Sequence, residues 1–332
     1  MWLWLIELLQ CPACHGRLEW LLKARSEGRL EEGEARCGDR GAVYEVREGI
    51  GLFLTPDLPR NDLWESSESG LATFLREHPD VADRLLNSPV QSLCPADQFL
   101  RASVLSERGD FQAADEIFPR AHAGLYTPEY VAAMDSQIES IISRLSGGRG
   151  PVVDLASGTC GLVTPMARRL TRLIVATDFS PRVLRRDRLR FEALGLADRV
   201  SFLAFDARRT PFKDRAMETM TTYYGLANIE QPGHLLRELR RVVSGTFLAA
   251  TNFCPEDDPV NGPLLRQFGL ETMMFRRLAL EAFAAAGWSV ETTGTRATPA
   301  APTPASELIP GARADAFPAA PTTLEMTVLV AR

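Results

Sequence analysis

The chain has 332 residues, with 37 Lys and Arg residues against 43 Asp and Glu residues, and its formal net charge is −6. This length predicts about two domains and a core that needs no disulfides for stability. The acidic balance argues against a protein that grips nucleic acid over its whole surface, although a local basic patch is compatible with it. Only Lys23 and Lys213 are lysines, and Ala and Pro are abundant, which is typical of a GC-rich bacterial genome.

The N-terminal segment MWLWLIELLQ is apolar but lacks the basic region of a secretory signal. No later run of the sequence approaches the length of about 18 apolar residues that a membrane-spanning helix needs. We therefore expect a cytoplasmic protein with no membrane partner. The sequence leaves the oligomeric state open.

Residues 1–54 are predicted to form a small β module with a metal site. Cys11, Cys14 and Cys37, named here the three-cysteine cluster, lie near its two ends, and the first two form a C-x-x-C pair. In a reducing compartment such a pair indicates metal binding rather than a disulfide. The alternating segment Val43–Val46 indicates a short hairpin. A unit of this size needs a metal or a packing partner to stay folded.

Residues 55–145 are predicted to be a helical linker that covers the substrate pocket of the next domain. Pro56 and Pro59 indicate an extended connection at its start. Apolar residues then recur at the i, i+3, i+4, i+7 spacing of amphipathic helices. These patterns lie at residues 71–75, 99–105 and 138–145.

Residues 146–332 alternate between strand and helix patterns, which predicts a doubly wound α/β domain with a mostly parallel sheet. The last two predicted strands, residues 288–293 and 324–330, are separated by an Ala- and Pro-rich loop instead of a helix. Two neighbouring strands without a crossover helix are expected to pair antiparallel. An earlier buried strand is predicted within GGRGPVVDLASG, and others at 173–177, 200–205, 217–224 and 246–251, with helices at 181–194 and 234–242.

The segment VVDLASGTCG is predicted to be a cofactor-binding turn between the first of these strands and its helix. The G-K-[ST] signature of a phosphate loop is absent from it. Asp178 ends the second strand, twenty-four residues after Asp154, where a carboxylate can accept both hydroxyls of a ribose. Asp206 ends the third strand, within reach of an adenine amine. Together these features predict an adenosyl cofactor that carries no phosphates.

The segments VVDLASGTCGL, VATDFSPRVL, FDARRTPFKD and TTYYGLANIEQPGHLLRELRRVV resemble the successive motifs of class I S-adenosylmethionine-dependent methyltransferases, close to the quinone-biosynthesis and type 11 group. The resemblance covers residues 124–332. It implies a seven-stranded Rossmann-like sheet with an antiparallel C-terminal strand, S-adenosyl-L-methionine as cofactor, and methyltransferase activity.

The resemblance also assigns cofactor-binding residues along the chain. One departure from the family pattern is Cys160, which stands where the family has the second glycine of G-T-G. If its side chain blocks the turn, the protein is a non-catalytic relative that binds or once bound the cofactor. The assigned residues are Asp154, Ala156, Ser157, Gly158, Cys160 and Gly161 at the methionine end, Asp178, Phe179 and Ser180 near the ribose, Asp206 and Ala207 at the adenine, and Tyr223, Tyr224 and Tyr126 beside the sulfonium and the pocket.

The first 54 residues resemble the zinc ribbon of the tRNA-methyltransferase-activator type, and the layout of ribbon, helices and methyltransferase resembles that of bacterial 23S rRNA guanine-N1 methyltransferases. The resemblance implies zinc at the three-cysteine cluster, but Arg40 stands where the family has a fourth cysteine. His15 or Asp39 could replace it, and a metal-free ribbon held by packing is the alternative.

Transfer of a methyl group to a hydroxyl or a carbon acid needs a general base, whereas an amine or a thiol only has to lose a proton. The candidates for catalytic roles are Tyr224, His234 and His122, although His234 also suits helix capping. We expect a small-molecule or peptide acceptor in bacterial specialised metabolism, that is, natural product biosynthesis. The alternatives are an rRNA base methyltransferase, which an arginine-rich helix at residues 182–190 would serve, and a non-catalytic scaffold.

Overall fold

The computed structural model describes residues 1–55 and 69–332, so Pro56 and Pro59 of the predicted linker lie outside the described residues. Eleven strands of the described chain join in one sheet. In chain order the strands are β1 Leu18–Ser26, β2 Arg29–Cys37, β3 Val43–Arg47, β4 Ile50–Phe53, β5 Val152–Leu155, β6 Ile174–Asp178, β7 Val200–Phe205, β8 Met217–Tyr223, β9 Val243–Phe253, β10 Val290–Ala300 and β11 Thr322–Ala331.

The helices confirm the three amphipathic patterns between residues 70 and 145 and the two patterns between the later strands. In chain order they are α1 Gly70–Glu77, α2 Pro79–Asn87, α3 Pro95–Glu107, α4 Phe111–Leu125, α5 Pro128–Leu145, α6 Val163–Arg169, α7 Pro181–Ala193, α8 Pro232–Val242, α9 Asn261–Gln267, α10 Glu271–Met274 and α11 Arg276–Ala285. Among the described residues, no helix is both long and apolar enough to cross a membrane.

The predicted seven-stranded α/β sheet is present, in the order β7-β6-β5-β8-β9-β11-β10. Strands β5 to β9 run parallel, and β11 pairs antiparallel with both β9 and β10. Every residue of β5, β6 and β7 is buried, as expected for parallel strands that are covered by helices on both faces. The fold class is therefore confirmed.

The N-terminal strands extend this sheet instead of standing apart from it. Strand β4 pairs in parallel with β7, and β3, β2 and β1 continue outward as an antiparallel meander. The side chains of Leu5, Leu30 and Phe53 pack in the same apolar cluster as Leu203 and Phe212. The sheet and its core thus cross residue 54, where the sequence predicts a boundary.

Helix α5 lies across the C-terminal strands and fixes the end of the predicted pocket segment. The Gln137 side chain is buried, and its Nε2 atom donates hydrogen bonds to the carbonyl oxygens of Thr251 in β9 and Thr327 in β11, both at 2.7 Å. One amide group therefore joins the helix to two strands of the sheet.

The loop predicted at residues 297–321 from its Ala and Pro content is shorter in the structure, because β10 runs to Ala300. The remaining residues, 301–321, pack against α3. The buried Asp97 carboxylate accepts hydrogen bonds from the Ser306 hydroxyl and from the Glu307 backbone, the latter at 3.2 Å. At its far end the loop is anchored by Thr322, whose hydroxyl donates to Asp258 at 2.6 Å. Between these ends the Asp315 carboxylate accepts a hydrogen bond from the Tyr126 hydroxyl, which places the loop beside the start of α5.

Candidate active site

A cavity of about 310 Å³ opens at the carboxyl ends of β5, β6 and β7 and beside the segment after β8. Ligands of doubly wound sheets bind at this edge, where the strand order reverses. Five of the predicted cofactor residues line this cavity. The wall includes Leu155, Ala156, Thr177, Asp178, Phe179, Phe205, Asp206, Ala207, Arg208, Asn228, Glu230, Phe268, Leu270 and Met273.

The predicted cofactor turn follows β5 and presents its backbone to the solvent. Ala156, Gly158 and Cys160 have positive φ angles of 50°, 52° and 60°. A Cβ atom added at Gly158 would meet nothing within 4 Å, so open space lies in front of this residue. A left-handed conformation beside open space is where glycine lets a ligand approach the main chain.

Asp178 ties the end of β6 to this turn. Its Oδ2 atom accepts a hydrogen bond from the Gly158 backbone at 3.1 Å, and its Oδ1 atom accepts one from the Ser180 backbone at 3.0 Å. The Ser180 hydroxyl accepts from Val183, so Ser180 caps α7. Asp178 therefore stands at the cavity wall in the position predicted for a ribose acceptor.

Asp206 is held by a neighbour that the sequence analysis missed. The Arg208 guanidinium donates to both carboxylate oxygens, with Nη2 to Oδ2 at 2.7 Å and Nε to Oδ1 at 2.9 Å. Both side chains are at most 7% exposed, and Arg208 also pairs with Glu230 at 3.3 Å. Arg208 thus occupies much of the acceptor capacity that the sequence assigns to an adenine amine.

Asp154 lies beneath the turn and is fully buried. Its Oδ1 atom accepts a hydrogen bond from the Thr221 hydroxyl at 2.7 Å. Burial raises the pKa of this carboxyl to about 7, against the opposing effect of that hydrogen bond. The side chain supports the turn from below and is absent from the described wall of the cavity.

The raised pKa of Asp154 has a consequence for stability. An acid with a raised pKa in the folded state binds a proton that the unfolded chain has lost, so stability falls as the pH rises from about 4 to about 7. We expect Asp154→Asn to remove this dependence, because the amide keeps an acceptor for Thr221 but does not ionise. Thermal unfolding of both proteins without ligand at pH 5 and pH 8 tests this. Relative to the native chain, the melting temperature of the variant should be higher at pH 8 than at pH 5. Equal pH dependence would count against the buried acid.

The Cys160 side chain does not obstruct the turn. It is fully buried, packs in the core behind β5, and donates from Sγ to Asp187 on α7 at 3.5 Å. Arg186 in turn pairs with Asp187 at 2.7 Å. The alternative that Cys160 blocks the turn is therefore not supported, because the side chain contacts α7.

The chain contains five tyrosines, and four of them lie together. We name Tyr126, Tyr130, Tyr223 and Tyr224 the tyrosine cluster. The Tyr126 and Tyr130 rings are stacked with centroids 5.2 Å apart, and the Tyr223 and Tyr224 rings are tilted at 4.4 Å. Burial raises the pKa of Tyr126, and a nearby carboxylate, Asp315, and the Tyr223 phenol raise it further. All four phenols are therefore protonated at neutral pH.

The tyrosine cluster meets the cofactor turn through Tyr223, whose ring would lie 3.6 Å from a Cβ atom at Gly161. The Tyr223 hydroxyl is buried and has no hydrogen bond of acceptable geometry among the described residues, although the Tyr224 phenol approaches it. The Tyr224 hydroxyl itself donates to Gln137. A ligand group that reaches this point would find an available phenol.

Helices α4 and α5 flank a second cavity, of about 630 Å³, which we name the α4–α5 groove. Its wall includes Phe118, His122, Tyr126, Val131 and Asp135. Burial lowers the pKa of His122, and the Asp315 and Asp135 carboxylates act in the opposite direction without cancelling it. His122 is therefore a neutral imidazole at pH 7, which a proton acceptor has to be.

The remaining predicted residues lie elsewhere. His234 is in the first turn of α8 and is absent from the described walls of both cavities. Ser157 donates to the Asp154 carbonyl at 3.0 Å and so shapes the turn. The sequence did not indicate Glu230, Phe268 and Met273. They line the cavity at the ends of β5, β6 and β7, from the segments after β8 and α9. No motif surrounds Phe268 and Met273, so no pattern in the sequence signals them.

Several arginines of α7 pair with other parts of the chain, although the Arg185 side chain stays 63% exposed. Arg185 donates to Glu48 at 2.8 Å, Arg188 to the Glu48 carbonyl, and Arg190 to Asp115 on α4 at 2.9 Å. This helix therefore joins the N-terminal meander to α4. These pairings with carboxylates and carbonyls reduce the free basic charge of the helix and so weaken the observation that favoured RNA binding.

The three-cysteine cluster is assembled as predicted, with the three sulfur atoms within 4.8 Å of one another. Burial acts to raise the pKa of the Cys11 thiol, but hydrogen bonds from the Tyr44 hydroxyl and nearby backbone amides outweigh it and lower the pKa. A Cβ atom at Gly16 would lie 2.1 Å from Asp39 Oδ2 and 3.2 Å from Cys14 Sγ. The Asp39 carboxylate thus lies beside Cys14 but outside the group of three sulfur atoms, and both Asp39 and His15 are exposed.

The strand order and the site define a Rossmann-like protein with a binding cavity at the switch point of its sheet. Residues 152–245 match a family model described as a methyltransferase domain. This match places a methyltransferase domain in the part of the chain that carries the cofactor turn, Asp178 and Asp206.

Two curated relatives are similar to the same part of the chain. The ubiquinone/menaquinone biosynthesis C-methyltransferase UbiE of Pseudomonas putida is 29% identical over 137 residues, which cover 40% of this chain and 52% of the relative. The demethylmenaquinone methyltransferase of Thermus thermophilus is 32% identical over 126 residues, covering 37% and 56%. The chain therefore spans only about half the length of these relatives.

Solved structures are similar at lower identity. The YcgJ protein of Bacillus subtilis is 15% identical with a TM-score of 0.46, covering 59% of this chain and 97% of the other. The geranyl diphosphate C-methyltransferase of Streptomyces coelicolor is 15% identical with a TM-score of 0.43, covering 59% and 75%. The fold assignment rests on the strand order described above.

Proposed function

We propose that the protein is an S-adenosylmethionine-dependent methyltransferase that acts on a small-molecule or peptide acceptor. The observation that carries this proposal is the hydrogen bond from the Gly158 backbone amide to Asp178. It links the carboxylate to the turn beside open space, at the carboxyl edge of the sheet. A carboxylate that can accept hydrogen bonds from ribose hydroxyls, next to an exposed backbone, suits an adenosyl group. The one arginine on the described wall, Arg208, is paired with carboxylates, so no phosphate cradle faces the cavity.

The residues present fit the cofactor. Asp178 would hold the ribose, Phe179 and Met273 would flank the adenine, and the backbone at Gly158 would meet the methionine end. The cofactor supplies an electrophilic methyl group on a sulfonium. Tyr223, with its ring over Gly161, would hold the acceptor against this end of the site and exclude water. Alignment of this kind is the main contribution that a protein makes to such a displacement.

The proposed acceptor class depends on the α4–α5 groove, on the arginines of α7 and on the direction of the Cys160 side chain. The α4–α5 groove is lined by side chains and has the volume of a small-molecule pocket. An RNA acceptor would need a basic surface, and several arginines of α7 are paired with carboxylates of this chain. The thiol of Cys160 points away from the turn, which supports a catalytic protein over a non-catalytic scaffold.

Transfer of a labelled methyl group tests the proposed function. The full chain is incubated with methyl-labelled S-adenosylmethionine and a bacterial extract that is then separated into small molecules, peptides and RNA. We expect label in the small-molecule or peptide fraction, and none with Asp178→Ala. Label in RNA would contradict the acceptor class. Binding of the cofactor without transfer to any fraction would contradict methyl transfer and indicate a scaffold.

We further propose that the three-cysteine cluster holds one zinc ion, with the Asp39 carboxylate as the fourth ligand. Structural zinc takes four ligands in a tetrahedral set, mostly thiolates and imidazoles, and aspartate oxygens can also bind the ion. The site stands next to the segment after β7, since the Gln10 backbone donates to Pro211 at 2.7 Å and its side chain to Phe212 at 3.1 Å. Zinc would therefore also steady the segment that follows Asp206.

Metal analysis of the purified full chain checks this proposal. We expect about one equivalent of zinc per chain, and a loss of most of it in Cys37→Ser, because a structural site needs all of its ligands. Cys254→Ser is the matched control, since Cys254 is buried far from the cluster in another part of the core. Less than about half an equivalent of zinc in the native chain would contradict a structural site.

A further inference from the structure

We propose that Glu230 recognises the adenine of the cofactor, by accepting a hydrogen bond from the exocyclic amino group of the base. This inference rests on the proposed function and adds a specificity-determining residue to the same site. It is carried by the hydrogen bonds of Asp206, by the second carboxylate oxygen of Glu230 and by the charge balance around Arg208.

The position of the base follows from the order of the strands. The methionine end of the cofactor is assigned to the turn after β5, and the ribose to Asp178 at the end of β6. Strand β7 lies on the other side of β6 from that turn. The base therefore lies at the end of β7, where Asp206 and Arg208 stand on the wall of the cavity.

The Asp206 carboxylate at this position already accepts four hydrogen bonds. Its Oδ1 atom accepts from the backbone nitrogen and from Nε of Arg208, both at 2.9 Å. Its Oδ2 atom accepts from Nη2 at 2.7 Å and from Nε at 3.2 Å. A carboxylate has about four lone-pair sites, so little acceptor capacity is left for a ligand. A base that took this place would separate a buried ion pair, which is costly.

Glu230 has the acceptor that Asp206 lacks. It stands on the wall of the same cavity, from the segment after β8. Arg208 Nη1 donates to Glu230 Oε2 at 3.3 Å, and the Glu230 side chain is 51% exposed. No hydrogen bond from the described part of the chain reaches its Oε1 atom. One oxygen is therefore fixed by Arg208, and the other can accept from a ligand.

The charges of this group favour a donor on the ligand. The Arg208 guanidinium pairs with two carboxylates, Asp206 and Glu230, so one negative charge among the three residues is not compensated. An amino group presents N–H bonds to that charge, whereas a carbonyl oxygen presents lone pairs and is repelled by it. This end of the cavity should therefore prefer adenine to hypoxanthine or guanine, both of which have a carbonyl in place of the amino group.

Calorimetric titration of the full chain with two ligands tests the proposal. S-adenosylhomocysteine has the amino group, and S-inosylhomocysteine has a carbonyl in its place. We expect the native chain to bind the adenosyl ligand at least about tenfold more tightly, because the inosyl ligand loses a hydrogen bond to a charged group and places an oxygen against it. Similar affinities for the two ligands would overturn the proposal.

Glu230→Gln should change this preference through a gain of affinity. Because Arg208 has only donors, it would hold the amide oxygen of the new side chain and turn the amide nitrogen to the base. That nitrogen donates to a carbonyl, so we expect S-inosylhomocysteine to bind several-fold more tightly than it binds the native chain. S-adenosylhomocysteine should bind more weakly. Damage to the fold would weaken both ligands, and an unchanged preference in the folded variant would overturn the proposal.

Glu192→Gln is the matched control. Glu192 pairs with Arg188 at 3.2 Å and its side chain is 45% exposed, but it is absent from the described wall of the cavity. This variant should keep the native preference, and an equal change in both variants would overturn the assignment of Glu230. Failure of the proposed function is recognised separately, because the native chain would then bind neither ligand. Binding of both with equal affinity contradicts only the role of Glu230.

Discussion

Asp178→Ala is expected to weaken S-adenosylmethionine binding by about 100-fold or more. The carboxylate is expected to accept two ribose hydroxyls, and two hydrogen bonds to a charged group contribute about 3 kcal/mol or more together. The same substitution removes the acceptor for the Gly158 and Ser180 backbone amides, so the turn also loses its tie to β6. Calorimetric titration of the native chain and the variant measures the effect.

A matched variant separates this effect from a general loss of acidic charge. Asp198→Ala removes an exposed carboxylate from the start of β7, at the opposite edge of the sheet. It should bind the cofactor with native affinity. If Asp178→Ala also keeps native affinity while folding normally, the ribose assignment is wrong.

Arg208→Ala is expected to destabilise the fold by about 3 to 5 kcal/mol, because it leaves the buried Asp206 carboxylate without its charge partner. The effect should reach the cavity directly, since Asp206 and Arg208 both stand on its wall. Chemical denaturation with urea, followed by far-UV circular dichroism, measures the free energy of unfolding. A loss below about 1 kcal/mol would contradict a strong buried pair.

A second variant tests whether the loss of stability comes from the Asp206 charge that is left buried without a partner. Combining Arg208→Ala with Asp206→Asn removes both charges, and we expect it to recover much of the stability lost in the single variant. Broken buried pairs behave in this way because the remaining charge, and not the missing contact, accounts for most of the cost. If the double variant is no more stable than Arg208→Ala, the loss has to come from packing of the arginine side chain.

Most of the sheet could be predicted from the sequence, because parallel strands buried on both faces appear as short apolar runs with turn residues between them. Strands β1 and β2 could not, since Lys23, Glu32 and Glu34 give these segments the polarity of loops. They are strands because the hairpin β3–β4 docks on β7 and offers them an edge to pair with. Only the tertiary structure contains that information.

Part of the candidate site could likewise be predicted from the sequence, and part of it could not. The strand-end acids Asp154, Asp178 and Asp206 follow from spacing, because the ends of neighbouring parallel strands meet at one edge. The direction of a side chain does not follow from spacing: Cys160 turns to α7, and Arg208 folds back onto Asp206. The tyrosine cluster joins residues almost one hundred positions apart, which needs the packing of α5 on the sheet.

Calorimetric titration of the purified full chain with S-adenosylhomocysteine tests the adenosyl cavity most directly, because it needs neither the acceptor nor turnover. We expect saturable binding at one site per chain, with a dissociation constant on the order of 10 μM, and its loss in Asp178→Ala. Absence of saturable binding by the native, folded chain up to about 1 mM would contradict the assignment of the cavity at the ends of β5, β6 and β7.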